Sequence, residues 1–493
     1  MPDKPIPAGS VVVVTAPDEA LTKALTAGSK PETAEPETVS TQHTLTTASG
    51  SVPYEATVGT LKVERGEAKG RMFYTAYRRT DVADATRRPL LFAFNGGPGS
   101  ASLWLHMGVL GPARVDLDVD ALCPPPWVAV DNPLSLLDRA DLVFVDPVGT
   151  GWSRAEGDAA PFHGVEGDVE SVADFVRRFV SLHGRWASPI LLAGESYGTT
   201  RCAGLAEHLA ETHGLAVRGL VLLSVALKFQ TLLFGPENEL PPVFLLPTCA
   251  ATAHYHGRVT GDLGALLEEV EAFSLDVYLP ALVRGARLTA EERRGLAERI
   301  AAYIGVSPEF VERCNLRPTL TRYCKELLRD ERRTVGRLDA RFTGRDRDAA
   351  GEGIEHDPSL SFLLGPYTAA YHHHLRHHLE WEDDAVYFPL SMETNRGWSW
   401  EPHVNRYVDV TERLRGALAA NPHLHVFAGS GLYDMATPYF ATDYTLAQVA
   451  WEPDVAERVV HERYDAGHMM YLHVPSLKKL RTDLDRWLDG LGL

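Results

Sequence analysis

The most informative segment of the chain is Leu191-Leu192-Ala193-Gly194-Glu195-Ser196-Tyr197-Gly198. It joins an apolar run, Pro189 to Ala193, that predicts a buried strand to a helix-like segment, Thr199 to Leu209. A Gly-x-Ser-x-Gly turn between a strand and a helix holds a nucleophilic serine at the carboxyl edge of a sheet. Ser196 is therefore the predicted nucleophile. Because a serine hydroxyl is a poor nucleophile until a base takes its proton, a histidine and an orienting carboxylate are expected elsewhere in the chain.

The composition is that of an ordinary globular protein, with 45% hydrophobic and 23% charged residues among 493. A formal charge of −18 argues against nucleic acid or an anionic membrane surface as the natural partner. No apolar run approaches the roughly 18 residues of a membrane span. The N-terminal run Val11 to Val14 is too short for a signal-peptide core. The sequence therefore predicts a cytoplasmic protein and leaves its oligomeric state open, a homodimer included.

The cysteines favour reduced thiols over disulfides. Their number is odd and no Cys-x-x-Cys pair occurs, although Cys314 and Cys324 could meet across a helical turn. No spacing of histidine and cysteine indicates a zinc site, and we expect neither a metal nor a cofactor. The five cysteines are Cys123, Cys202, Cys249, Cys314 and Cys324.

Short, continuous apolar runs recur along the chain and predict core strands. Strands of this kind that end in glycine-rich loops suit a mostly parallel sheet with helices on both faces. An alternating pair of segments, Ala56 to Val63 and Met72 to Tyr77, predicts a β-hairpin ahead of them. The predicted core strands are Leu90 to Phe94, Leu142 to Val145, Leu220 to Ala226, Leu424 to Ala428 and Arg458 to Tyr464.

The apolar runs are interrupted once, which predicts an insertion rather than sequential domains. The interrupting block is polar, rich in arginine and helical in pattern, with a capping box at Thr289-x-x-Glu292. We expect it to cover the sheet edge as a cap. The predicted division is a disordered tail at 1–45, a core at 46–227, a helical cap at 228–400 and the rest of the core at 401–493.

Two late loops offer the missing base and acid. In proteins with this type of elbow, the order along the chain is serine, acid, histidine. Asp434 ends a glycine-rich loop after the strand at 424–428, and His468 follows the strand ending at Tyr464. Asp465 competes for the role of the acid, but three residues before His468 it is poorly placed to orient that ring. We therefore predict Asp434 and His468, and read His425, His461 and His473 as structural.

An oxyanion hole requires two backbone N–H groups, one of them from the residue after the nucleophile. That residue is Tyr197. The loop Asn95 to Ser100 can supply the second, since Gly96 and Gly97 permit an exposed and unusual backbone. The alternative is that this loop is an ordinary tight turn.

With these residues in view, the chain from about residue 54 onward resembles the serine carboxypeptidase family, in its prokaryotic branch. The motifs that carry the resemblance are 95–100 (Asn-Gly-Gly-Pro-Gly-Ser), 111–112, 131–133, 146–153, 194–198, Asp434 and 467–469, with 246–248, 255–257, 336–339 and 365–368 in the insertion.

The resemblance implies an α/β-hydrolase fold with a helical cap and removal of C-terminal residues from peptides with a free C-terminus. It implies that Ser196, Asp434 and His468 form a catalytic triad. It also implies that Gly97 and Tyr197 form the oxyanion hole, and that Asn95 and Glu195 bind the substrate carboxylate. No cofactor is implied.

The expected carboxylate site requires a shared proton at Glu195, and it differs from the family pattern at Val109. A carboxyl group that faces a substrate carboxylate cannot remain ionised cheaply, so the pair should share a proton. Family members often carry a second glutamate, and the matching position here is Val109. That change favours an alternative, an esterase or acyltransferase on the same scaffold. A non-catalytic binding protein is a further alternative, against which the intact Ser, Asp and His argue.

The cluster His372 to His378 raises the alternative of a metal site in the insertion. On a helix, His373 pairs with His377 and His374 with His378 at a spacing that can hold a metal. No acid or cysteine pattern accompanies them, so a solvated cap helix is the favoured interpretation.

Overall fold

A mixed sheet organises the computed structural model, which describes residues 38–117 and 124–493. Within these residues the sheet has ten strands in the order β1-β2-β3-β7-β4-β9-β10-β13-β14, with β8 on β3; two short ribbons, β5/β6 and β11/β12, lie apart. The strands are β1 (Val39–Thr47), β2 (Gly50–Arg65), β3 (Ala68–Arg79), β4 (Leu90–Phe94), β5 (Ala113–Val115), β6 (Ala129–Asp131), β7 (Asp141–Val145), β8 (Arg154–Glu156), β9 (Ile190–Glu195), β10 (Val217–Leu223), β11 (Thr334–Val335), β12 (Thr343–Gly344), β13 (His425–Gly431) and β14 (Val459–Tyr464).

The six strands from β7 to β14 in this order are parallel, as the continuous apolar runs predicted. Every residue of β4, β7 and β9 is buried. Strands with both faces covered by helices need apolar residues at every position instead of alternation. Because these strands run the same way, their carboxyl ends share one edge of the sheet.

Helices cover both faces of the sheet. One core cluster packs α1 and α2 against the sheet, and another packs α6 and α9 against its opposite face. The longer helices are α1 (Val165–Leu182), α2 (Tyr197–His213), α3 (Leu240–Tyr255), α4 (Leu263–Phe273), α5 (Ala290–Ile304), α6 (Pro358–His377), α7 (Thr411–Ala420), α8 (Tyr439–Val449) and α9 (Val474–Gly490). The shorter helices are Leu103–Leu105, Leu279–Arg284, Pro308–Arg313, Leu320–Glu326, Met392–Arg396 and Pro453–Ala456.

The hairpin prediction is confirmed by the antiparallel pair β2 and β3. The predicted tail, however, extends too far, because β1 begins at Val39 and pairs along its length with β2. This strand is mostly Ser, Thr, Gln and His, and its side chains alternate between half-buried and exposed until Leu45. The strand is held by backbone pairing with β2, so the sequence shows no apolar pattern that would predict it. The remainder of the predicted tail, 1–37, lies outside the described residues.

A third core cluster occupies much of the interrupting block. Side chains of α3, α4 and α5 pack there together with residues of the loop after β13 and of the first turn of α8. The capping box is formed as predicted, with Thr289 and Glu292 each bonded to the other's backbone N–H. The boundaries at 228 and 400 stay predictions.

Helix α6 corrects the expectation of a solvated histidine helix. Tyr371, His374 and Leu375 are buried against the sheet, and the Tyr77 hydroxyl lies 3.4 Å from Nε2 of His374. The other histidines of the cluster are exposed. Only one face of α6 is therefore solvated, because its other face joins the first core cluster. In the part of the chain that the structure describes, no three potential metal ligands come together.

The four cysteines within the described ranges are buried and free, as predicted, and Cys123 lies outside those ranges. None of the described helices combines the length and the hydrophobicity needed to cross a bilayer.

Candidate active site

Ser196 lies on a sharp turn between β9 and α2. Its φ of 59° and ψ of −126° are rare for a residue with a side chain, and such strain persists where surrounding structure enforces it. Its N–H donates to the carbonyl of Leu223 on the neighbouring strand at 2.9 Å. A Cβ at Gly194 would lie 2.3 Å from the Gly198 carbonyl oxygen, and one at Gly198 would lie 2.5 Å from that of Phe94. Both glycines are therefore needed for the turn, and Ser196 stays partly exposed on it.

Asp434 and His468 meet at the ends of β13 and β14. Oδ2 of Asp434 lies 2.7 Å from Nδ1 of His468, and both residues are buried. The N–H groups of Ala436 and Thr437 donate to Oδ1 of Asp434 at 2.8 and 3.0 Å. Asp465, the competing acid, is exposed. The structure thus brings Asp434, and not Asp465, to the imidazole.

The His468 loop is joined to the serine turn through Ser224. The Ser224 hydroxyl donates to the carbonyl of His468 at 2.6 Å, and Ser224 directly follows the Leu223 that accepts from Ser196. The interrupting block also holds this loop, since the His468 N–H donates to the carbonyl of Leu338 at 2.6 Å. Three strand ends and one loop of the interrupting block therefore fix the positions of the serine turn and the histidine.

The pKa of His468 is raised above its usual value of 6.5. Burial by itself lowers this pKa, but the adjacent Asp434 carboxylate and, less strongly, Glu195 raise it. The positive charge of Arg337 opposes them. The net result is an imidazole that accepts a proton readily and is stabilised once it carries one.

The loop after β4 packs directly against the serine turn. A Cβ at Gly96 would lie 2.4 Å from the backbone nitrogen of Tyr197. Gly97 has a φ of 102°, which a residue with a side chain rarely adopts. Tyr197 is the first residue of α2, so its N–H has no acceptor within the helix. The two predicted oxyanion-hole residues therefore lie on facing backbone segments beside Ser196.

Asn95 and Glu195 form a buried pair next to the nucleophile. Nδ2 of Asn95 donates to Oε1 of Glu195 at 2.8 Å, and Oδ1 of Asn95 accepts from the Leu105 N–H at 3.0 Å. Oε2 of Glu195 is buried and has no hydrogen-bond partner among residues 38–117 and 124–493. Burial raises the pKa of Glu195 to about 7, although His468 and Asn95 act to lower it. Near neutral pH this carboxyl group therefore exists in both protonation states.

Three contributors to the site were missed from the sequence. Arg201 of α2 donates to the Asn95 carbonyl at 2.7 Å and forms a fully buried ion pair with Asp168 at 2.8 Å. The Tyr471 hydroxyl faces the Glu195 carboxyl. These contacts link segments far apart in the chain, so no local sequence pattern predicts them.

A serine on a strand–turn–helix elbow, with an Asp–His pair at neighbouring strand ends of a mostly parallel sheet, defines this fold as that of an α/β-hydrolase. The family model described as serine carboxypeptidase matches residues 47–221 of this chain.

Similar proteins extend this comparison. Serine carboxypeptidase-like 36 of Arabidopsis thaliana is 34% identical over 26% of this chain, and serine carboxypeptidase-like 13 of the same plant is 27% identical over 30%. These matches span only 25% and 34% of the two relatives' own lengths. Kex1, a prohormone-processing carboxypeptidase from Saccharomyces cerevisiae, aligns over 89% of this chain and 92% of its own, with a TM-score of 0.54 and 16% identity. That likeness concerns the fold.

Proposed function

We propose that this protein is a serine carboxypeptidase that removes C-terminal residues from peptides through an acyl-enzyme on Ser196. The observation that carries the proposal is the buried Asn95–Glu195 pair beside Ser196, with Oε2 of Glu195 unpartnered in the described structure. A buried carboxyl oxygen without a partner is costly to maintain. A substrate carboxylate that shares the Glu195 proton would supply the missing hydrogen bond.

The proposed triad works through the tautomer of His468. Oδ2 of Asp434 accepts a hydrogen bond from the Nδ1–H of His468, so that Nε2 is free to take the proton of the Ser196 hydroxyl. Ser196 Oγ then attacks the last peptide carbonyl, and the N–H groups of Gly97 and Tyr197 bind the resulting oxyanion. His468 passes its proton to the leaving amine. Water, activated by the same imidazole, then hydrolyses the acyl-enzyme.

Glu195 is the group that selects a free C-terminus. In its protonated form it donates to the substrate carboxylate, while Asn95 holds the other carboxyl oxygen of Glu195 in place. An ester or amide at the same position lacks the negative charge that this donor recognises. The pair therefore distinguishes a terminal residue from an internal one.

The test compares an N-blocked dipeptide with its C-terminal amide and its methyl ester at pH 6. We expect release of the terminal amino acid from the free acid, with kcat/KM well above that for the amide, and no turnover by Ser196→Ala. Equal or better turnover of the amide, or an ester as the sole substrate, would refute the carboxypeptidase assignment.

The alternative, an esterase or acyltransferase, is favoured by one observation. Val109, at the position where a second glutamate is often found, is buried and apolar. If the ester alone turns over, this alternative becomes the better account. A non-catalytic binding protein would instead show no stoichiometric labelling of Ser196 by a fluorophosphonate.

A further inference from the structure

Two buried polar atoms of the site lie near one another but outside the distance and angle of an ordinary hydrogen bond. They are Oε2 of Glu195 and the hydroxyl oxygen of Tyr471, and each lacks a partner in the described part of the chain. Tyr471 is 3% exposed and Glu195 4%. Buried polar atoms are almost always hydrogen-bonded. Two neighbouring atoms that lack an ordinary hydrogen bond can therefore bind a ligand that supplies it.

The backbone at Gly108 leaves space for the ring of Tyr471. A Cβ on Gly108 would lie 2.3 Å from Cε2 of Tyr471 and 2.9 Å from the hydroxyl of Tyr367. Glycine at 108 thus makes room for two tyrosines at the turn His106–Leu110, which also carries Val109. A phenol therefore approaches Glu195 at the turn on which the family's second glutamate is expected.

The phenol differs from a carboxyl group in one decisive respect. Burial, reinforced by the nearby Glu195 carboxylate, holds the pKa of Tyr471 well above its usual value. Tyr471 consequently keeps its proton at pH 6 and at pH 9. Glu195, in contrast, loses its donor as the pH rises through about 7.

We propose that the Tyr471 hydroxyl is a second, pH-independent donor to the terminal carboxylate of the substrate, alongside Glu195. This inference rests on the proposed carboxypeptidase function and assigns a substrate-binding residue to it. No bond is made or broken: the phenol donates a hydrogen bond and keeps its proton. Recognition of the free C-terminus therefore weakens at alkaline pH but does not vanish.

The experiment measures kcat and KM of Tyr471→Phe for the N-blocked dipeptide and its methyl ester at pH 6 and pH 9. Because a hydrogen bond to a charged group is lost, KM for the free acid should rise about tenfold or more, with the ester nearly unchanged. At pH 9 the parent should still prefer the free acid and the variant should not. The hydroxyl has no partner in the described structure, so its loss should leave the melting temperature unaltered.

A matched control is Tyr387→Phe, which removes another buried hydroxyl of the same core cluster, one without an ordinary hydrogen bond among the described residues. It should leave the ratio of free-acid to ester kcat/KM as in the parent. Equal losses on both substrates in Tyr471→Phe would overturn the inference, as would a parent that has already lost its preference at pH 9. A parent with no free-acid preference at pH 6 would instead refute the proposed function itself.

Discussion

Replacing Glu195 by glutamine separates the titration of Glu195 from that of His468, since both affect how activity depends on pH. The amide keeps a hydrogen-bond donor but needs no proton to act as one. The pKa of Glu195 rises from its usual 4.5 to about 7, chiefly through burial. That rise corresponds to a penalty of about 3 kcal/mol on the ionised form in the fold. The donor of the parent protein should therefore disappear within the ordinary range of assay pH.

The pKa of about 7 for Glu195 also sets how far recognition of the free acid should fall at alkaline pH. At pH 8 about a tenth of Glu195 remains protonated, so its contribution to free-acid recognition should fall about tenfold between pH 6 and pH 8. The methyl ester does not use this donor. Its turnover should instead rise with pH as His468 loses its proton, at a pKa above 6.5 because Asp434 and Glu195 together outweigh the effect of burial.

The assay is kcat/KM for the N-blocked dipeptide and its ester from pH 5 to pH 9, in the parent and in Glu195→Gln. We expect the variant to lose the alkaline fall on the free acid. The ester profile should keep its shape and move slightly to lower pH, because the Glu195 charge that raises the pKa of His468 is lost. The reasoning would be refuted if both substrates showed one common profile in the parent and the variant moved neither.

Three further outcomes follow from the charges of the site. Asp434→Asn should leave His468 in the wrong tautomer and lower kcat about 10⁴-fold, whereas Asp465→Asn should change it little, and reversed effects would show that the acid is misassigned. A raised pKa of Glu195 means that its stabilisation is complete below pH 4.5 and lost as the pH rises through about 7. Glu195→Gln should accordingly gain in melting temperature over the parent between pH 5 and pH 8, and a constant difference in thermal melts would contradict this. Because Arg337 lowers the pKa of His468, Arg337→Met should move the acidic limb of the ester profile to higher pH, and an unmoved limb would exclude that coupling.

The parts of the fold that the sequence predicted are those with local physical causes. The runs that became β4, β7 and β9 are apolar at every position because both sheet faces are covered. The turn at Ser196 was predicted because its glycines permit a backbone approach that no other residue allows. In each case the constraint lies within a few residues of the motif.

The remaining features depend on contacts between distant segments. The strand beginning at Val39 has polar side chains and is held by its backbone pairing with β2, so it resembled a disordered tail. His374 is buried because α6 packs against the sheet, which the sequence of the histidine cluster does not reveal. Tyr471 belongs to the site through its approach to Glu195 and Gly108, residues more than 250 positions away.

The most direct test of the central claim is a mass-spectrometric time course on a peptide with a free C-terminus and on the same peptide amidated. The account predicts stepwise loss of single residues from the C-terminus of the first peptide and far slower change in the second, with Ser196→Ala inert on both. Cleavage at internal bonds, or equal degradation of the two peptides, would contradict it.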